Sequence, residues 1–126
     1  MKSYTNIEQS NELAEILPIE SADMSYSLDF DSEKYEVTTT TYKNWVIPKY
    51  AQTYKGFSQA IPCWSLATLL NVLPNGTDVV KEEADTENER YMCTVGINDD
   101  IISTFADNPV DACYKMIIKL HELKML

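Results

Sequence analysis

Apolar positions along the chain follow two kinds of spacing, and each kind predicts its own elements. Near the C-terminal end, Val110, Cys113, Met116, Ile117 and Leu120 recur every three or four residues, which is the period of one buried helix face. Asn108 stands before them as an N-cap, and Pro109 occupies the first helical position, where a missing amide hydrogen costs nothing. Asp111 complements the positive end of the helix dipole, and Lys115, Lys119 and Lys124 lie toward the negative end. A second helix is expected from Pro62, with Leu66, Leu69, Leu70 and Leu73 as its buried face and Pro74-Asn75-Gly76 as its stop. An N-terminal helix is expected to start with Thr5 and Glu8 as a capping box. It carries Ile7, Leu13, Ala14, Ile16 and Leu17 and ends before Pro18.

Elsewhere the pattern is that of strands. KYEVTTTTYKNWVI is rich in β-branched and aromatic residues and predicts a strand from about Tyr35 to Tyr42. Arg90 to Ile97 alternates, with Tyr91, Cys93, Val95 and Ile97 on one side. Asn98-Asp99 turns the chain, and Asp100 to Phe105 pairs back as a hairpin. Val79 to Ala84 adds a third strand to this meander, because no helix intervenes to allow a parallel crossover. PIESADMSYSLDFDSE has turn-formers and no clear period, so it is expected to be a structured loop. Pro48 to Ala60 is expected to be an irregular aromatic-rich connection. The expected fold class is α+β in a single domain, residues 1–126. It has a small antiparallel sheet of three to four strands, a C-terminal meander, and about three helices packed mainly on one face.

Composition changes this picture in three ways. A length of 126 residues supports one core. The net charge of −10, from 20 acidic and 10 basic residues, argues against direct nucleic-acid binding, which needs a basic patch. No apolar run approaches a membrane span and the N-terminus is too polar for a secretory signal, so the expected location is the cytoplasm. The three cysteines are widely spaced and odd in number, and are expected to be reduced and mostly buried. Acidity concentrates in VVKEEADTENE, residues 79–89. That block reads either as a solvated strand edge or as a surface that docks on a basic partner or imitates nucleic acid.

Candidate chemistry is sparse. Cys63 at an expected helix start has the setting of a lowered thiol pKa, but no base accompanies it in sequence and His121 is the only histidine. Trp64 fits either the core or a pocket wall. Glu20 and Asp23, with Ser21 and Ser25, are polar enough for a metal or an acid/base pair, although caps and turns use the same residues. Three glycines leave no phosphate-binding loop, and no catalytic signature is present. No catalytic residue, metal or other cofactor is therefore assigned, and an enzyme is not the expected reading.

Three blocks carry a resemblance. They are TNIEQSNELAEILPIESADMSY, IPCWSLATLLNVLP and STFADNPVDACYKMIIKLHELKML. The chain resembles an uncharacterised family of small proteins from phages, prophages and mobile elements of gut Bacteroidetes, in which "IPxWSLxxLL" and "DNPVDA" recur. The resemblance covers roughly half the chain, and ordered, spaced blocks of this kind are hard to match by chance. It implies a genomic setting without a mechanism. The residues carrying it are Asp23, Met24 and Tyr26, then Pro62, Trp64 and Ser65, then Asn108, Pro109 and Asp111.

The function expected from these observations is that of an accessory protein that binds a host or phage protein, with a homodimer as a further option. The alternative is a small-molecule binder or minor enzyme whose pocket is formed near Trp64, Asp23 and Tyr26, with Met24 and Ser65 beside them.

Overall fold

The computed structural model describes residues 2–29, 32–39, 60–82 and 90–126. Among these the chain runs through helix α1 (Ile7–Ala14), a 3-10 turn (Ile19–Ser21), strands β1 (Met24–Asp29), β2 (Lys34–Thr38) and β3 (Ile61–Cys63) and helix α2 (Leu66–Val72). The meander β4 (Asp78–Glu82), β5 (Arg90–Ile97) and β6 (Asp100–Ala106) follows, and helix α3 (Pro109–Glu122) completes the order. The fold is α+β with antiparallel pairing throughout. Its strands divide into two three-stranded sheets, ordered β2-β1-β3 and β4-β5-β6.

The second sheet holds the meander where the alternation places it. Asn98 and Asp99 both adopt positive φ, 50° and 70°, the paired left-handed conformation of a type I′ hairpin turn. Cys93, Val95 and Thr104 face inward and are buried against α3. On α3 itself Val110, Cys113, Met116, Ile117 and Leu120 have no exposed surface, each such aliphatic side chain contributing about 1.5–3 kcal/mol by burial. Thr104 Oγ1 donates to the Ala112 carbonyl at 2.7 Å, tying β6 to the helix. α2 packs against α3, and Leu13, Leu17, Trp64, Leu69 and Leu73 join the same continuous core.

The first sheet corrects the loop expected between Pro18 and Glu33. Met24 to Asp29 is a strand at the centre of that sheet, pairing with β2 on one side and β3 on the other. Pro62 stands in β3 opposite Ser25, not in a helix. A proline is tolerated there because β3 is an edge strand. α2 starts at Leu66, four residues later than a helix begun at Pro62 would, with Ser65 as its N-cap. Leu70, expected on the buried face, is 38% exposed, while Leu69 and Leu73 are buried. The expected strand from Tyr35 to Tyr42 is found as Lys34–Thr38, and its last residues lie outside the described ones. So do the Pro48–Ala60 connection, apart from Ala60, and the acidic block beyond Glu82.

Two tight turns explain local breaks. Thr77 N donates to the Pro74 carbonyl at 3.2 Å, and Gly76 sits at φ 85° inside that turn, a conformation that favours glycine. At the end of α3, Lys124 takes φ 59°. Lys124 N donates to His121 O at 3.0 Å and Met125 N to Leu120 O at 2.8 Å, which is a Schellman closure with lysine where glycine is usual. Among the described residues no helix is long and apolar enough to cross a membrane.

Candidate functional site

Two of the residues singled out by sequence, Asp23 and Ser65, meet at the start of α2. Asp23 ends the 3-10 segment's exit and reaches across to Ser65. Its Oδ1 accepts from Ser65 N at 3.0 Å and from Thr68 Oγ1 at 3.0 Å, and its Oδ2 accepts from Ser65 Oγ at 2.6 Å. Ser65 Oγ accepts in turn from Thr68 N at 3.3 Å. A carboxylate at the first turn of a helix also meets the positive end of the dipole. Asp23 thus serves as an outer cap on α2, with both oxygens committed to one structural corner.

Trp64 stands beside this corner with no exposed surface. Its indole Nε1 donates to Ser21 Oγ at 2.9 Å, and Ser21 Oγ donates to the Pro18 carbonyl at 2.6 Å. The core position is the one the chain adopts, and Trp64 offers no ring face to a ligand arriving from solvent. Met24 is half-buried in β1. Tyr26 is buried and its hydroxyl donates to the Thr5 carbonyl at 2.6 Å. It borders a shallow, open depression of about 440 Å³ with Asn6, Ile7 and Glu8. Asp23, Trp64 and Tyr26 are therefore close in the fold, and of the three Tyr26 borders the depression whose lining belongs to the described residues.

A buried polar cluster lies under Tyr26. Thr5 and Ser10 have no exposed surface, and their hydroxyl oxygens are 2.8 Å apart. Thr5 Oγ1 accepts from Trp64 N at 3.2 Å, and Thr5 N donates to the Trp64 carbonyl at 3.0 Å. Cys63 Sγ donates to the Thr5 carbonyl at 3.4 Å. Burial raises the Cys63 thiol above its ordinary value, with Asp23 adding to the rise, against the opposing pull of hydrogen bonds to Thr5, Ser10 and Tyr26. Burial likewise raises the Tyr26 hydroxyl, and Cys63 and Tyr4 add to the effect. Cys63 closes β3 and is held by hydroxyls and a carbonyl, with no base among these partners. That is the setting of a structural thiol.

The expected capping box moves by one residue. Thr5 and Glu8 do not cap α1; Asn6 does, its Oδ1 accepting from Gln9 N at 2.8 Å while Gln9 Oε1 accepts from Asn6 N at 3.1 Å. Thr5 is drawn instead into the extended pairing with Trp64, and Tyr4 bridges Ser65. At α3 the cap is as expected: Asn108 Oδ1 accepts from Asp111 N at 2.8 Å, with Pro109 opening the helix.

Asp111 has a second role that its capping position alone does not reveal. Its Oδ1 accepts from Lys2 Nζ at 2.7 Å and from Gln9 Nε2 at 2.8 Å, and Oδ2 accepts from Asn108 Nδ2 at 2.9 Å. Lys2 Nζ also donates to Gln9 Oε1 at 2.9 Å. The starts of α1 and α3 are thereby joined through one carboxylate. Partial burial works against its charged form, but the hydrogen bonds from Gln9, Lys2 and Asn108 outweigh it and hold the Asp111 carboxyl below its ordinary value. Lys2 and Gln9 gave no signal in the sequence, because a contact spanning the chain has no local pattern.

Cys93 and Cys113 complete the inventory of thiols. Both are free and buried, and they face each other across β5 and α3. The hydrogen bond between them, with burial, raises Cys113 well above the ordinary thiol range. Among the described residues no group of three or more His, Cys, Asp or Glu side chains converges as a metal site.

One side of the second sheet faces outward and carries apolar residues. Val80, Met92 and Phe105 stand directly opposite one another across β4, β5 and β6, with Val80 and Phe105 exposed and Met92 half-buried. Ile101 is 75% exposed on the same side. Arg90 lies over the Phe105 ring at 4.1 Å and forms an ion pair with Glu82 at 2.8 Å. No family model matches the chain, and neither a curated protein nor a solved structure shows significant similarity to it.

Proposed function

We propose that this protein is a non-enzymatic accessory factor of a phage or mobile element that acts in the host cytoplasm by binding another protein. The observation that carries this reading is the outer face of the second sheet. An apolar row runs across this face of a chain of net charge −10, with Val80 and Phe105 exposed, Met92 half-buried between them and Ile101 projecting beside it. Exposed apolar residues gathered on one face, with charged neighbours such as Glu82 and Arg90 beside them, are the usual form of a protein contact. The polar residues of the three sequence blocks support the same reading from the other side. Asp23, Ser65, Asn108 and Asp111 are engaged in capping and cross-linking helices, and Trp64 is buried.

The test is affinity capture from host lysate with the wild-type chain and with an Ile101→Lys, Val80→Lys double variant of unchanged thermal stability. Recovery of a specific protein by the wild type alone supports the reading. Equal recovery by both, or no specific protein with either, overturns it.

A further inference from the structure

β6 ends the second sheet, and no strand among the described residues pairs with its other edge. The Asn98–Asp99 turn determines which backbone groups point there. In a two-residue hairpin the closing pair, here Ile97 and Asp100, exchanges both ladder hydrogen bonds, and every second pair beyond it does the same. Ile102, Thr104 and Ala106 accordingly direct their N–H and C=O groups toward β5. Ile101, Ser103 and Phe105 direct theirs to the outer edge. Lys115 Nζ donates to the Phe105 carbonyl at 2.8 Å, which agrees with that direction. The same three residues place their side chains on the outer face of the sheet, where Ile101 and Phe105 are exposed.

We propose that β6 pairs with β6 of a second copy, antiparallel about a two-fold axis through Ser103. In this register Ser103 faces its own counterpart, and Ile101 faces the partner's Phe105 in both directions. Aliphatic–aromatic cross-strand pairs of this kind stabilise a sheet, and the two-fold repeats each contact as an isologous interface requires. Other registers are worse. A shift of two residues sets Phe105 against Asp99, or Ile101 against Asp107, so an apolar side chain meets an acidic one at the end of the strand. The carbonyl of Phe105 keeps a lone pair for the new strand while Lys115 occupies the other. The charge of −10 per chain opposes association, so the pairing strengthens as salt screens that repulsion. Pairing also brings together the outer faces of two sheets, widening the apolar surface. It is measured on the purified chain alone, so its failure leaves the reading of host binding standing.

Sedimentation velocity across a wide range of protein concentration, at low and high salt, tests it with two variants. Ser103→Pro removes an N–H that points to the open edge and leaves the internal ladder whole, a position where proline is tolerated. Ile101→Lys places a charge opposite the partner's Phe105. The wild type is expected to shift from 14.4 kDa toward twice that mass, at lower concentration in high salt, and both variants to remain monomers with wild-type circular dichroism. A wild type that is monomeric throughout, or a Ser103→Pro chain that dimerises like the wild type, overturns the proposal. Amide hydrogen exchange on the wild type gives a reading free of any variant. The Ile101, Ser103 and Phe105 amides are expected to slow as concentration rises, and unchanged exchange at those three overturns the pairing.

Discussion

Asp23 and Ser65 are joined twice: one carboxylate oxygen accepts the Ser65 amide at 3.0 Å and the other its hydroxyl at 2.6 Å. This two-point contact connects the segment entering β1 to the first turn of α2, across 42 residues of sequence. Replacing Asp23 with Ala leaves the Ser65 amide and hydroxyl without this acceptor, while the Thr68 hydroxyl keeps the Ser65 carbonyl at 3.0 Å. The expected loss of stability is about 1.5–3 kcal/mol, the range for hydrogen bonds to a charged group. Asp23→Asn keeps one good acceptor and should lose less. Urea denaturation of both variants checks the order, and an Asp23→Ala chain as stable as wild type would show that the corner is not held by this carboxylate.

The three cysteines offer a chemical test of the core. All are buried, and burial works against the thiolate of Cys63. Folded protein should react with an aromatic disulfide reagent orders of magnitude more slowly than unfolded protein, whose thiols titrate near their usual value of about 8.5. Three equivalents should appear on denaturation. Rapid modification of Cys63 in the folded chain would contradict its placement between Thr5 and Tyr26.

Asp111 makes stability depend on acidity in a defined direction. Its carboxyl is held below the ordinary value, so the unfolded chain binds the proton more readily than the folded one. The stabilisation is present above the unfolded pKa of about 3.9 and is lost as pH falls through the folded value. Thermal unfolding between neutral pH and strong acid should show this fall, and Asp111→Asn should flatten part of it. An identical acid profile in the variant would mean that Lys2 and Gln9 do not hold the charged form.

Asp99 lies at φ 70° in the β5–β6 turn. Glycine occupies that conformation without the penalty an L side chain incurs, and Asn-Gly is the preferred pair for a type I′ turn. Asp99→Gly should raise stability by about 0.5–1 kcal/mol, read as a higher midpoint in thermal or urea unfolding. A lower midpoint would show that the aspartate side chain contributes more than its backbone strain costs.

The elements legible in sequence were those whose signals are local. The α3 stripe, its Asn108–Pro109 start and the Asn98–Asp99 hairpin each depend on residues a few positions apart, and all three stand as expected. β1 was harder. Met24, Tyr26 and Leu28 do alternate with Ser25, Ser27 and Asp29, but serine and aspartate are weak strand formers. Ser25 and Tyr26 are both buried although neighbours in a strand point to opposite faces, so no polar face marks the period. β3 is three residues long and contains Pro62, too little to distinguish from a helix start. The capping box slipped because Thr5 and Asn6 are both good N-caps. Only the pairing of Thr5 with Trp64 decides between them. At the candidate site, sequence grouped Asp23, Met24, Tyr26, Trp64 and Ser65; Asp23 bonds to Ser65, while Trp64 bonds to Ser21 and Tyr26 to Thr5. Their roles as cap and core anchor, and the part of Lys2 in binding Asp111, depend on contacts between distant segments.

The link between Lys2 and Asp111 joins residues separated by 109 positions, and it bears on how the chain is made. Lys2 leaves the ribosome long before its counterpart exists, and the α1 start that it braces remains without that support until α3 emerges. The β5–β6 hairpin and α3 lie close in sequence and can assemble on each other early, whereas closure of the N-terminal segment requires the slowest, longest-range encounter. The segment around Lys2 is thus made before α3 and secured only after it.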